Sequence, residues 1–137
     1  MLYLTRRETF NAAHRLFKQE WSDEKNYRVY GKCSNPHWHG HNYELYVTVK
    51  GSLDPETGFV INLKLLSKII KEHVTDKIDH MNINTQVDFM KERLASTENL
   101  ATAIWEVLDP EIRLLGIELH RIKIVETENN YIEYYGN

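Results

Sequence analysis

His39-Gly40-His41-Asn42-Tyr43-Glu44-Leu45-Tyr46-Val47-Thr48-Val49-Lys50 alternates with a period of two along its whole length. His39, His41, Tyr43, Leu45, Val47 and Val49 fall on one side, and Asn42, Glu44, Tyr46 and Thr48 on the other, the pattern of a strand with one face against a core. Downstream, Asp54, Pro55 and Gly58 mark a turn. Leu63, Leu66, Ile69, Ile70, Val74 and Lys77 then keep helical spacing, which predicts a helix from Leu63 to Lys77. After a polar segment, Ser96 is suited to cap a second helix with the stripe Leu100, Ile104, Val107 and Leu108, which Pro110 should end. Ile122, Ile124 and Glu126 share a strand parity, and Asn129-Asn130 reads as a hairpin turn before Tyr131 to Tyr135, because asparagine tolerates positive φ. Upstream, residues 2–14 form a strand with Phe10, Ala12 and His14 on one side, and residues 15–38 show no sustained period and read as a long loop. The order strand, strand, helix, helix, strand, strand predicts an α+β fold: a four-stranded antiparallel sheet with both helices on one face.

The chain has 137 residues, the size of a single domain, here residues 1–137. Hydrophobic residues make up 42% and charged residues 27%, the balance of a globular protein. A net charge of -3 provides no broad basic field for a nucleic-acid backbone, so nucleic acid is not expected as a partner. The apolar start Met1 to Leu4 meets Arg6 and Arg7 at once, and no stretch reaches the roughly 20 apolar residues of a membrane span, so neither a signal peptide nor a membrane partner is expected. The single cysteine, Cys33, fits a reducing cytoplasm and is either a small buried hydrophobe or a chemical group.

His39 and His41 project from the same face of one strand and can share a metal ion. A catalytic zinc commonly takes three protein ligands and keeps a position open, so a third is needed, from His14, His37, His73, His80 or His120. His14 is preferred, because it ends a strand that an antiparallel sheet would lay beside the pair. The plain alternative is that all seven histidines are scattered surface or hydrogen-bonded ones. Lys32 beside Cys33 is a setting that lowers a thiol pKa, against the alternative of an inert buried thiol. Asp79-His80 is either a carboxylate orienting an imidazole base or a surface turn. Glu126 points to a mostly apolar face and needs a partner there: a bidentate ligand with a guanidine-like edge, or an arginine of the protein.

Together these residues fall in the order seen in one family. Phe10-Asn11-Ala12-Ala13-His14-Arg15-Leu16, Cys33 with five residues before His39-Gly40-His41-Asn42-Tyr43, Gly58-Phe59-Val60-Ile61-Asn62-Leu63, Asp79-His80, Ser96-Thr97-Glu98-Asn99-Leu100 and Glu126-Thr127 resemble the 6-pyruvoyltetrahydropterin synthases over nearly the whole chain. The resemblance implies the tunnelling fold, in which subunits join their sheets into an oligomeric barrel around a channel, as a homohexamer made of two trimers with sites between subunits. It implies zinc (Zn2+) held by His14, His39 and His41, Cys33 as the proton-transferring group, Asp79 and His80 as a relay, and Glu126 as the pterin anchor, with Thr97 and Glu98 lining the same pocket. The implied reaction is that of a carbon–oxygen lyase: 7,8-dihydroneopterin triphosphate becomes 6-pyruvoyltetrahydropterin with loss of triphosphate and no nicotinamide.

The related 6-carboxytetrahydropterin synthases of queuosine biosynthesis share fold, zinc site and substrate. They usually place three residues between the cysteine and the His-x-His pair, whereas Ser34 to Trp38 make five here, and Asn62 stands where many of them have aspartate. The short chain without an N-terminal extension resembles bacterial members, which keeps the queuosine role as the second reading. A cupin-type dioxygenase, built on His39, His41, Glu44 and a distant His120, is one residue short in its motif and would be interrupted by two helices. A zinc-stabilised assembly module would leave Cys33, Asp79 and His80 without roles.

Overall fold

A computed structural model describes residues 1–137. Strands β1 (Leu2–His14), β2 (His39–Gly51), β4 (Glu118–Thr127) and β5 (Asn130–Tyr134) are antiparallel neighbours, with each inward side chain dictated by the parity of the sequence. Phe10 and Ala12 from β1, Tyr43, Leu45, Val47 and Val49 from β2, and Leu119, Ile122 and Ile124 from β4 face one core. The cover is α2 (Leu63–Ile70), with Leu66 and Ile70 inward, and α5 (Thr97–Arg113), with Leu100, Ile104 and Leu108 inward. Both long helices thus lie on one face, as the binary pattern requires.

The expected details differ in four places. The sheet has five strands and is mixed, because β3 (Met81–Asn82) pairs parallel with Ala12 and Ala13 to give the order β3-β1-β2-β4-β5. Two residues are too few to show a period. The predicted loop 15–38 contains helix α1 (Asp23–Tyr30) and a 3₁₀ turn, Gly31–Ser34. Its one buried residue in α1 is Asn26, whose side chain accepts from the Lys18 amide at 2.9 Å and donates to the Lys18 carbonyl at 3.0 Å. Helix α5 passes through Pro110 to Arg113, since buried Ile112 holds the last turn against the core, and the chain turns at Gly116 with φ 77°. The β4–β5 turn is Glu128-Asn129, with neither residue at positive φ; the Thr127 hydroxyl accepts the Asn129 amide at 3.2 Å instead. The helix predicted from Leu63 to Lys77 exists as a continuous run through α2, a π-helical segment Lys71–Thr75 and the short α3 (Asp76–Ile78). Short α4 (Ile83–Gln86) follows β3.

One carboxylate lies under the helices. Glu8 is 9% exposed, and its Oε1 accepts from the Ser67 hydroxyl at 2.6 Å and from the Arg6 Nε at 2.8 Å. Burial pushes this carboxyl up, but the two hydrogen bonds and the charges of Arg6 and Lys71 outweigh it, and the net shift is downward. A depressed carboxyl adds stability above its unfolded pKa and loses it as pH falls through the folded value. Glu8→Ala should therefore cost about 2 kcal/mol at neutral pH, from lost charge-assisted hydrogen bonds. Urea unfolding of variant and parent should converge in the acid range.

Candidate metal centre

The pairing of β1 with β2 sets His14 opposite His39 and Ala12 opposite His41. Parity turns all three imidazoles to the helix-covered face. A Cβ at Gly40 would stand 3.1 Å from the Ala12 carbonyl oxygen, a tight contact that glycine avoids where the strands meet between the two histidines. Ring centroids lie 4.5 Å apart for His14–His39, 5.2 Å for His14–His41 and 5.0 Å for His39–His41. One nitrogen from each falls within 4.8 Å of the others.

The hydrogen bonds show which nitrogens are free. His14 is buried, and its Nδ1 lies 2.7 Å from the Ala95 carbonyl oxygen, which assigns the proton to Nδ1 and leaves a lone pair on Nε2. His14 Nε2, both ring nitrogens of His39 and His41 Nε2 are buried without any hydrogen-bond partner. An unpaired buried polar atom costs about 1–3 kcal/mol, so several converging on one point call for a common ligand. Burial pushes the His14 imidazolium pKa down, aided by His39 and His41 against the Ala95 carbonyl and Glu126; burial and His41 do the same to His39. Neutral imidazole is the form that binds a metal ion. The donor set of three nitrogens suits zinc and leaves room for a further ligand.

Glu126 extends from β4 on the same side, its Oε1 3.6 Å from His41 Nε2, and the buried Thr97 hydroxyl donates to its Oε2. No arginine pairs with it, so the open choice for Glu126 falls against an arginine of the protein. Thr97 stands at the start of α5, where Ser96 caps the helix by accepting from the Asn99 amide at 3.2 Å. Tyr43 completes this wall and was not singled out from the sequence, although it is the next residue of the His-x-His parity. It is 1% exposed, its hydroxyl has no partner, and its ring lies 5.5 Å from His41 and 6.2 Å from His14. Burial, then the charges of Glu126 and Cys33, push its phenol pKa up. Cys33 is half-buried in the 3₁₀ turn, and its carbonyl accepts the Leu16 amide at 2.9 Å, which ties the turn to the end of β1.

Two expected members lie elsewhere in the chain's own fold. Asp79 and His80 lie along the outer edge of β1, just before β3: the Asn11 amide donates to Asp79 Oδ1 at 2.8 Å, the His80 amide donates to the Asn11 carbonyl at 2.6 Å, and His80 Nδ1 is 3.0 Å from Asp79 Oδ1. The two residues do form a carboxylate–imidazole pair. The Asn11 amide holds the Asp79 carboxyl below its usual range, helped by His80. Their side chains line a groove of the opposite, polar sheet face with Arg7, Thr9, Asn42 and Glu44. Glu98 is exposed.

The other histidines are engaged apart. His73 Nε2 is 3.7 Å from Glu111, His120 packs between Tyr3 and Tyr135, and His37 is exposed. Glu44 pairs with Arg7 at 2.6 Å on the polar face, so the cupin reading loses both of its extra ligands. No helix is long and apolar enough to cross a membrane.

Comparison with known proteins adds three findings. A family model described as 6-pyruvoyl tetrahydropterin synthase matches residues 3–137. A 6-pyruvoyl tetrahydrobiopterin synthase of Dictyostelium discoideum is 44% identical over 133 residues, covering 97% of this chain and 95% of the relative, whereas a 6-carboxy-5,6,7,8-tetrahydropterin synthase of Rickettsia bellii is 25% identical over 149 residues, 97% and 99% of the two chains. The solved structure of Caenorhabditis elegans 6-pyruvoyl tetrahydropterin synthase superposes with a TM-score of 0.91 at 35% identity, covering 99% of this chain and 96% of that one.

Proposed function

The chain belongs to the 6-pyruvoyl tetrahydropterin synthase family, and from that premise we propose that it converts 7,8-dihydroneopterin triphosphate to 6-pyruvoyltetrahydropterin, eliminating triphosphate, with zinc at His14, His39 and His41. The observation that carries the reading is the convergence of buried, partnerless imidazole nitrogens, one of which, His41 Nε2, lies 3.6 Å from a carboxylate that no arginine satisfies. A zinc ion bound by the substrate's side-chain oxygens would act as a Lewis acid and make the neighbouring carbon-bound protons more acidic. Cys33 removes and returns those protons. Glu126, oriented by Thr97, accepts two N–H groups from the guanidine-like edge of the pterin, a bidentate arrangement that sets the ring's position. Tyr43, almost wholly buried with its ring 5.5 Å from His41, forms part of the wall of the same site.

Asp79 and His80 act in this scheme as a relay contributed by another subunit, in keeping with their place on the opposite sheet face. The outer edge of β1 ahead of its short pairing with β3 and the outer edge of β5 suit the joining of sheets into a barrel, and a homohexamer of two trimers in the cytoplasm is the proposed form. Glu98, exposed in the single chain, would line the pocket only in that assembly. The pyruvoyl product is favoured over the carboxy product by the five residues between Cys33 and His39 and by the higher identity to the pyruvoyl relatives.

The first test is release of triphosphate from 7,8-dihydroneopterin triphosphate by the zinc-loaded protein; none would refute the proposal. A second concerns the shared site. Chains with Cys33→Ala and chains with His80→Ala should each be inactive alone and regain a substantial fraction of activity when co-assembled. Failure to complement in hexamers shown to be mixed would place the relay within one subunit. Glu126→Gln should weaken pterin binding by about 1.5–3 kcal/mol, the worth of a hydrogen bond to a charged group, and titration with 7,8-dihydroneopterin would measure it.

A further inference from the structure

The segment between Arg15 and Lys32 carries five cations, Arg15, Lys18, Lys25, Arg28 and Lys32, none of which pairs with a carboxylate, while seven of the other twelve cations of the chain do. Three of them are held in place by other means. The Arg15 guanidinium lies 3.9 Å from the centre of the Phe17 ring, and its Nε donates to the Ser34 carbonyl at 2.8 Å, while neither terminal amino group has a partner. Lys18 and Lys25 both lie over the Trp21 ring, at 4.8 and 4.2 Å from its centre. The buried Asn26 amide clamps the Lys18 peptide from both sides, so this loop is preorganised rather than free to splay. Arg15, Phe17, Lys18 and Trp21 line a surface depression of about 380 Å³, with Asp23 the one acidic group at its rim. Cations that form no ion pair, their stems held and the terminal amino groups of Arg15 and the ammonium groups of Lys18 and Lys25 without a hydrogen-bond partner, are suited to an anion.

The register gives the direction in which that anion would lie. Glu126 follows Val125, which pairs with Glu44 of β2; His41 and then His39 come next toward the start of β2, and His39 pairs with His14, immediately before Arg15. Pterin anchor, metal ligands and Arg15 therefore succeed one another along the sheet, spanning about 13 Å between Tyr43 and His39 at roughly 3.3 Å per residue. A substrate with its ring at Glu126 and its side-chain oxygens at the histidines carries its phosphorylated end toward Arg15. Arg15 also fastens the turn that holds Cys33, through Ser34.

We propose that Arg15 and Lys18, backed by Lys25, form the seat of the substrate's triphosphate. The inference rests on the pterin reading above and adds to it the residues that distinguish a triphosphorylated pterin from an unphosphorylated one. Arg15 offers two free amino groups to one phosphate, and the Trp21-bound ammonium groups meet those farther along the chain.

The test compares the KM for 7,8-dihydroneopterin triphosphate with the inhibition constant of 7,8-dihydroneopterin, which has the ring but no phosphate, in zinc-loaded enzyme. Arg15→Gln and Lys18→Gln should each raise the KM about tenfold, the order expected for one charge-assisted hydrogen bond, and leave the inhibition constant within about twofold. Lys77→Gln, an exposed and unpaired cation on α3, should change neither. If both constants move together, or the KM is unchanged in Lys18→Gln, which lies on the surface and does not touch the Cys33 turn, the triphosphate seat is refuted. A parent enzyme that binds and turns over neither pterin would instead refute the functional reading on which the seat rests.

Discussion

Cys33→Ala is expected to lower turnover by about 10²–10⁴, the range for loss of a positioned proton-transfer group, with metal content and fold unchanged. Cys33 is half-buried, has no possible disulfide partner within the chain, and sits in a 3₁₀ turn tied by its own carbonyl to Leu16 and by Ser34 to Arg15. A structural cysteine packed as a hydrophobe would show the reverse pattern, with Cys33→Ala costing stability and leaving turnover almost intact. Steady-state rates, zinc content and thermal unfolding of the same preparation separate the two. Retained turnover would end the acid/base assignment.

The second large effect concerns the ligands. His39→Ala and His41→Ala should each weaken zinc binding by more than the roughly 10–100-fold that loss of a supporting hydrogen bond costs, because a direct ligand is removed. Added zinc should raise the melting temperature of the parent, by preferential binding to the folded state, and leave that of the variants unchanged. In the metal-free protein the order should invert. His39 holds two buried ring nitrogens without partners, so its truncation removes a desolvation penalty, and metal-free His39→Ala should be at least as stable as the metal-free parent. Equal zinc affinity in parent and variant would show that the three imidazoles meet for another reason.

What was legible in the sequence followed period and parity. The alternation from His39 to Lys50 fixed β2 and placed His39 and His41 on the face that the parity of Phe10, Ala12 and His14 also points to, and antiparallel pairing then brought His14 opposite His39. The apolar stripes beginning at Leu63 and Leu100 gave both covering helices. Helix α1 was hidden because its only inward residue is an asparagine that acts through hydrogen bonds, which leaves no apolar stripe to read. Pro110 misled because one missing amide near a helix end weighs less than the burial of Ile112 two residues on. Asp79 and His80 were recognisable as a pair but not as residents of the other sheet face, since that depends on where the chain docks along the edge of β1. Tyr43 reads as an ordinary strand residue; what marks it is a buried hydroxyl without a partner, on a ring 5.5 Å from His41.

Mass analysis of the product formed from 7,8-dihydroneopterin triphosphate by the zinc-loaded enzyme in D2O, with no reductase present, tests the central claim most directly. The account predicts released triphosphate and a 6-pyruvoyl side chain that has acquired deuterium from solvent as protons leave and return at carbon. A carboxy product accompanied by acetaldehyde, or unchanged substrate, would contradict it.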